Sequence, residues 1–213
     1  GMILGTSLHA YRKCHLRHHA RLRQEDDPQD AVHICPGSRV VTAMVLVFAS
    51  LFGAAIFIWV RVPFLGSMLG SVRRVLLELC LPVAFYLLLF TMAPTGVLIT
   101  LGSAVAVAIV WGSLIDIIYH QGLPVTGGVE SSRSLNCDRF GFWCLNGENR
   151  HAEHHVFPRI PLPNWRPLLP TIKPILLANG AVYERGYVSA LLKCVADCPL
   201  FLPPVEKPSS LDH

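Results

Sequence analysis

From Val40 to Val60 the chain reads VVTAMVLVFASLFGAAIFIWV, twenty-one residues without a charge. A helix of that length rises roughly 30 Å, the thickness of a bilayer's hydrocarbon core, so this stretch is a membrane-span signal. Two further apolar runs follow, VLLELCLPVAFYLLLFT at Val75–Thr91 and GVLITLGSAVAVAIVWGSLIDIIY at Gly96–Tyr119. Pro94 and Gly96 in the intervening MAPTG suit a tight turn, which predicts an antiparallel helical hairpin. Each run holds one acid, Glu78 and Asp116. A carboxylate within a span is costly unless it lies near an end or faces a polar interior, and Asp116, at the end of its run, reads as interfacial.

Polar segments flank this apolar middle. Residues 1–35 precede it, residues 120–165 follow the apolar stretch 40–119, and a tail occupies 166–213; together they read as one domain over 1–213. Prolines at 161, 163, 167, 170 and 174 argue against long helices at the start of the tail. VYERGYVSALLKCVADC after them predicts one amphipathic helix, and PPVEKPSSLDH a loose end. The expected fold class is therefore an all-α integral membrane protein, with transmembrane helices under a histidine-rich cap on the cytoplasmic face.

Composition agrees with this reading: 52% of residues are hydrophobic, 15% are charged, and the mean hydropathy is +0.46. The net charge of +4 does not indicate nucleic acid, because the bases are spread thinly and no aromatic-interleaved basic face accompanies them. Arg12, Lys13, Arg17, Arg21 and Arg23, then Arg61, Arg73 and Arg74, gather beside the apolar segments, as cytoplasmic flanks near anionic lipid do. Arg39 and Arg61 bracket the first apolar run, so charge does not orient it. The seven cysteines are odd in number and lack zinc or redox spacings, and they read as reduced thiols packed as small hydrophobes. No cleavable signal peptide is visible.

The chemistry is concentrated in histidine. HLRHH places His15, His18 and His19 at i, i+3 and i+4, and RHAEHH repeats the spacing at His151, His154 and His155. On helices, each trio shares a face. One such trio alone is explained as well by a surface patch or a headgroup contact; two copies bracketing apolar helices favour metal ligation. Imidazole suits iron, zinc, copper and nickel, and six nitrogens exceed what one ion needs, so two metals are inferred. His120, where the third apolar run ends, is a seventh candidate, with an ordinary interfacial histidine an equal reading. His9, His33 and His213 lack the spacing and are read as bystanders. A zinc hydrolase helix wants H-E-x-x-H; here Glu153 follows Ala152, so it is better placed to orient an imidazole N–H.

If both trios serve one site, an even number of crossings separates them, yet three apolar runs lie between. A hairpin over Val75–Tyr119, with an interfacial or partial role for Val40–Val60, satisfies the parity, against the raw hydropathy.

YRKCHLRHHARLRQEDDPQD and NGENRHAEHHVFPRIPLPNW resemble the second and third histidine boxes of the membrane fatty acid desaturase family, which extends to related hydroxylases and carotenoid ketolases. The resemblance runs to about Leu169 and includes Asn149 before the third box, Phe157–Pro161 after it, and Asp27 and Pro28 after the second. His120 matches the isolated histidine such proteins carry before the third box. The family's first box, an H-x-x-x-H pair upstream, is not matched: fourteen residues precede His15, and His9 cannot make a pair alone. Together with the initial Gly1, this gives the expectation of an N-terminally truncated member, the alternative being a divergent, inactive protein starting at Met2.

The resemblance implies a diiron oxidoreductase that uses dioxygen and electrons from a ferredoxin-type or cytochrome-type donor to desaturate a fatty acyl or lipid chain. It implies His15, His18, His19, His120, His151, His154 and His155 as catalytic iron ligands, two Fe2+ ions, and a bacterial inner membrane or endoplasmic reticulum location. Trp143 and Phe142 are candidates for lining an acyl groove, and Arg12 and Arg17 for meeting a headgroup. A hydroxylase or ketolase, a metal transporter and a catalytically dead partner subunit are the rivals; transport predicts ligands inside the spans.

Overall fold

The computed structural model describes residues 3–24, 26–29, 39–137, 147–161 and 164–198. His33, Phe142, Trp143 and His213 lie outside them. The described chain is mainly helical: α1 (Leu8–Ala20), α2 (Arg39–Ile56), α3 (Val62–Leu69), α4 (Val72–Met92), α5 (Thr95–His120), α6 (His151–Val156), α7 (Trp165–Ala178) and α8 (Tyr187–Ala196). Two three-residue strands, β1 (Arg133–Leu135) and β2 (Val182–Glu184), pair in parallel and are a small departure from the all-α expectation.

Among the described residues, three helical runs are long and apolar enough to cross a membrane: Val40–Leu69, Val72–Met92 and Thr95–His120. The first is continuous because a wide π turn, Phe57–Arg61, joins α2 to α3. Its cause is Pro63, which has no N–H to donate into the preceding turn. Thr6 supplies the missing donor, its hydroxyl donating to the Ile58 carbonyl at 3.0 Å. The same region holds the α1 crossing: a Cβ on Gly66 would lie 2.3 Å from the Ala10 Cβ, so only glycine lets the two backbones approach this closely. Ala10, Cys14, Val62 and Val75 form the buried cluster at that crossing.

α4 begins at this junction. Glu78, one of the two acids noted in the apolar runs, accepts from the Ser7 hydroxyl at 2.8 Å and the His9 backbone N–H at 2.9 Å, and pairs with Arg74 at 3.1 Å. Ser7 also caps α1, accepting from the Ala10 N–H. α4 and α5 are joined by the short turn expected at Pro94, but they are not the closely packed hairpin the turn suggested. α5 lies along α2, while α4 rests on α1 and α3. Small residues decide this: Gly53 and Ala54 of α2 meet Gly112 and Ser113 of α5, and the Ser113 hydroxyl accepts the Ala54 N–H at 2.9 Å. The outer faces of α4 and α5, including Leu77, Leu87, Phe90 and Val107, remain exposed, as lipid-facing surfaces would.

The end of α5 enters a second core with α8 and β1: Ile115, Ile118, Tyr119, Leu135, Ala190 and Cys194. α7 forms in spite of Pro170 and Pro174, contrary to the expectation of broken structure there. Both prolines and Arg166 are exposed, so water can take the carbonyls they leave without donors. The amphipathic helix expected from Val182 onward begins only at Tyr187, because Val182–Glu184 pairs with β1.

Candidate metal centre

The two histidine trios fan outward rather than pointing one way. At about 100° per residue, i and i+4 lie within about 40° of each other, while i+3 lies about 60° to the other side of i. On α1, His15 and His19 therefore go one way and His18 another; on α6, His151 and His155 go one way and His154 another. The helices face each other, and their odd members cross over. His15, His19 and His154 form one set, and His18, His120, His151 and His155 form the other.

Within the first set the Nε2 atoms lie 3.1 Å (His15–His19), 3.1 Å (His19–His154) and 3.3 Å (His15–His154) apart. In the second, His120–His151 is 2.9 Å and His151–His155 is 3.0 Å. Two nitrogens bound at right angles to one ion at about 2.1 Å stand roughly 3.0 Å apart, and tetrahedral ligands roughly 3.4 Å. The five separations are those that imidazoles sharing an ion can adopt, and in each set all the ring nitrogens lie within 4.8 Å of one another.

Protonation fits as well. Asp27 accepts at both oxygens from His18 Nδ1, at 2.8 and 2.9 Å. Burial opposes ionisation of Asp27, but hydrogen bonds from His18 and from the Gln29 and Arg23 N–H groups outweigh it and hold the carboxyl below its usual range. An ionised carboxylate only accepts, so His18 Nδ1 is the donor and Nε2 is the ring nitrogen left to face the centre. His120 Nδ1 likewise donates to the Ser131 carbonyl at 3.1 Å, and His15 Nδ1 meets Gln29 Oε1 at 3.2 Å. Burial, reinforced by neighbouring imidazoles, lowers the pKa of His19 to about 3 and of His154 to about 4, and pushes His151 and His155 well down. These are neutral imidazoles, the form that binds metal.

Two tyrosines brace the imidazoles: Tyr11 stacks on His15 with centroids 5.6 Å apart, and Tyr119 on His151 at 4.2 Å and 8°. Between α2 and α5, the four-histidine set opens onto a cavity of about 250 Å³ lined by Leu46, Ala49, Gly53, Phe57 and Ile117, with His18 and His120 at its polar end and Asp116 one turn below His120.

The family model for fatty acid desaturases matches residues 1–187. The chain belongs to the fatty acid desaturase family. Among curated proteins, an acyl-lipid (9-3)-desaturase of Physcomitrium patens is 33% identical over 76 residues, 32% of this chain and 14% of its own length. A Delta(5) fatty acid desaturase of Caenorhabditis elegans is 34% identical over 55 residues, 26% of this chain and 12% of its own. The matches thus span a small part of either relative. No solved structure matches the chain.

In this desaturase-family chain all seven histidines singled out in the sequence converge, His120 among them. Glu153 does not hold an imidazole. It is fully buried, accepts from the Ser134 hydroxyl and from the Tyr183 hydroxyl at 3.0 Å, and lies 4.0 Å from Arg150. The reason is its place in α6, on the side facing β1 and β2, away from both sets. Asn149 is also buried and pins the start of α6 to β1, its Nδ2 donating to the Leu135 carbonyl at 3.1 Å. The groups that do orient imidazoles are Asp27, Gln29 and the Ser131 carbonyl. Asp27 was visible in the acidic run after the second box; Gln29 and Ser131 carried no sequence signal.

Proposed function

We propose that this chain is a membrane-bound oxidoreductase that holds two iron ions and desaturates a fatty acyl or lipid chain. The observation that carries the reading is the pair of clustered imidazole sets, one of which contributes His18 and His120 to the lining of an apolar cavity between α2 and α5. His18, His120, His151 and His155 hold one ion, and His15, His19 and His154 the other. Iron bound there supplies activation of dioxygen and removal of hydrogen from an unactivated carbon, with electrons from a ferredoxin-type or cytochrome-type donor.

The protein's own part is positioning. The cavity walls take an acyl chain out of water and lay one of its carbons against His18 and His120. Asp27 and the Ser131 carbonyl keep the Nδ1 protons of these residues in place, so each presents Nε2 throughout. The sets lie at the end of α5 and on α1 and α6, beyond the apolar stretches, which fits an enzyme at the cytoplasmic interface of a bacterial inner membrane or the endoplasmic reticulum better than an ion pathway through the spans.

The test is to purify the chain from membranes in detergent, load it anaerobically with Fe2+, count metal per chain, and analyse lipid products after adding reductase, donor and dioxygen. About two irons and a new acyl double bond are expected. Oxygenated products in their place would move the assignment to a hydroxylase, and a chain that holds no metal would overturn it.

A further inference from the structure

His151 is joined to a line of aromatic side chains that leads away from the histidine sets. Tyr119 lies over His151 with ring centroids 4.2 Å apart and planes 8° from parallel. The Tyr119 and Tyr187 hydroxyls are hydrogen-bonded at 3.0 Å, and the Tyr187 ring packs on Trp111 with centroids 5.8 Å apart. We propose that Tyr119, Tyr187 and Trp111 form an electron relay, which supplies single electrons to the metal centre when dioxygen is activated there with no acyl chain in place. This rests on the iron-binding reading above.

Side-chain type is the first ground. Tyrosine and tryptophan give up one electron more readily than the other aromatic side chains. Phenylalanine would supply the same apolar bulk at positions 119 and 187 with no polar atom to satisfy. Instead, two hydroxyls meet each other against a core of Ile115, Ile118, Leu135 and Ala190. Contact is the second ground, because electron tunnelling falls off exponentially with the gap. Every link is a hydrogen bond or a ring pair at packing distance. Direction is the third. The line leaves α5 at Tyr119, crosses to Tyr187 at the start of α8, and returns to α5 at Trp111. Trp111 lies nine residues before His120, roughly 14 Å along the helix and inside its apolar run.

An iron able to take hydrogen from an unactivated carbon can also oxidise the imidazoles that hold it, and preventing such side reactions falls to the protein. In the relay, Tyr119 gives one electron to the iron, Tyr187 one to Tyr119, and Trp111 one to Tyr187. The proton between the two hydroxyls shifts and returns, so both tyrosines end unchanged. Because Trp111 sits in an apolar run, its electron is replaced by a lipid-soluble reductant of the quinol class. Two quinols provide four electrons and four protons, which reduce one dioxygen to two waters, and two quinones leave.

The test loads the protein in detergent with Fe2+, admits dioxygen without acyl substrate, and freezes samples early for electron paramagnetic resonance. Ring-deuterated tryptophan identifies the indole signal by its narrowed lines, and Zn2+-loaded protein is the blank. A tryptophan radical is expected, which a short-chain quinol removes while oxygen uptake rises. Trp111→Phe should leave the radical on tyrosine, and Tyr187→Phe should abolish the tryptophan signal, with iron content and helical circular dichroism unchanged in both. Three results would overturn the relay: dioxygen consumed with no ring radical, a tryptophan signal that survives either substitution, or oxidation at Cys137, which packs against the same core, in place of the rings. Iron content and a new double bond on adding an acyl chain would then leave the reading of the site standing. Failure to bind iron or to consume dioxygen would overturn both.

Discussion

Asp27 grips His18 Nδ1 with both carboxylate oxygens, at 2.8 and 2.9 Å, and the two side chains are almost wholly buried. The pair lies nine residues apart in sequence, across the turn that ends α1, where Arg23 adopts a left-handed backbone (φ 59°) and donates its N–H to the same carboxylate. Replacing Asp27 by Asn keeps the shape but removes the charge that fixes the His18 proton. Metal affinity of the four-histidine set should fall by roughly ten- to hundredfold, read by chelator competition. Unchanged affinity would show that the tautomer is set by something else.

Acid should weaken the metal-free fold over a defined window. Histidines in an unfolded chain titrate near 6.5, whereas His19 and His154 are lowered to about 3 and about 4 in the fold, first by burial and then by their imidazole neighbours. Because the unfolded chain then binds more protons, stability present above about pH 6.5 is lost as the pH falls towards 4 and 3. The Tm of the metal-free protein should be level above pH 7 and drop progressively below pH 6.5; a flat profile down to pH 4 would contradict the buried, neutral state of these rings.

Gly66→Val should separate α1 from α3. Even a Cβ at this position would meet both the Cβ and the Cα of Ala10 well inside contact distance, and backbone atoms cannot rotate away. Overpacking of this sort costs about 1–3 kcal/mol. Since α1 carries three of the proposed ligands, lowered Tm and lost metal should appear together. Retention of both would mean that the crossing can slide.

Glu153→Ala should act on α6 through the core rather than through the metal. It leaves the buried Ser134 hydroxyl and the part-buried Tyr183 hydroxyl without their acceptor and Arg150 without the carboxylate 4.0 Å away; an unsatisfied buried group costs about 1–3 kcal/mol. Tyr183→Phe removes one of those bonds and should cost less, with metal content unchanged. The readouts are thermal unfolding and metal count; equal loss of metal in both variants would instead tie Glu153 to the ligands.

Gly53→Leu should fill the cavity. A Cβ there meets only Ala49 and Ser113, at 3.7 and 4.0 Å, so the first atom is accommodated and the remainder of the side chain takes up cavity space. Product formation from long acyl chains should drop while iron content holds. Equal activity would place the substrate elsewhere.

Much of this protein is legible along the chain because its signals are local. A long apolar run makes a helix that must face lipid, since the cost of exposing it to water is borne by each residue separately. The H-x-x-H-H spacing likewise places three imidazoles on one helix whatever lies around it. The prolines of α7 misled because their effect depends on whether the freed carbonyls reach water, and Arg166, Pro170 and Pro174 happen to be exposed.

The apolar helices and the two histidine trios were therefore determined by the sequence itself, through short-range periodicity, while family membership and His120 rested on the resemblance of the histidine boxes. Only the tertiary structure decided how the histidines divide. The angular offset of His18 and His154 on their helices matters only once α1 and α6 face each other, and His19 and His154, 135 residues apart, meet at 3.1 Å through that docking. The same holds for Glu153, whose neighbours Ser134 and Tyr183 come from two strands that pair across the fold. Contacts between distant segments are set by close packing of whole elements, here permitted at Gly66, and no local pattern encodes them.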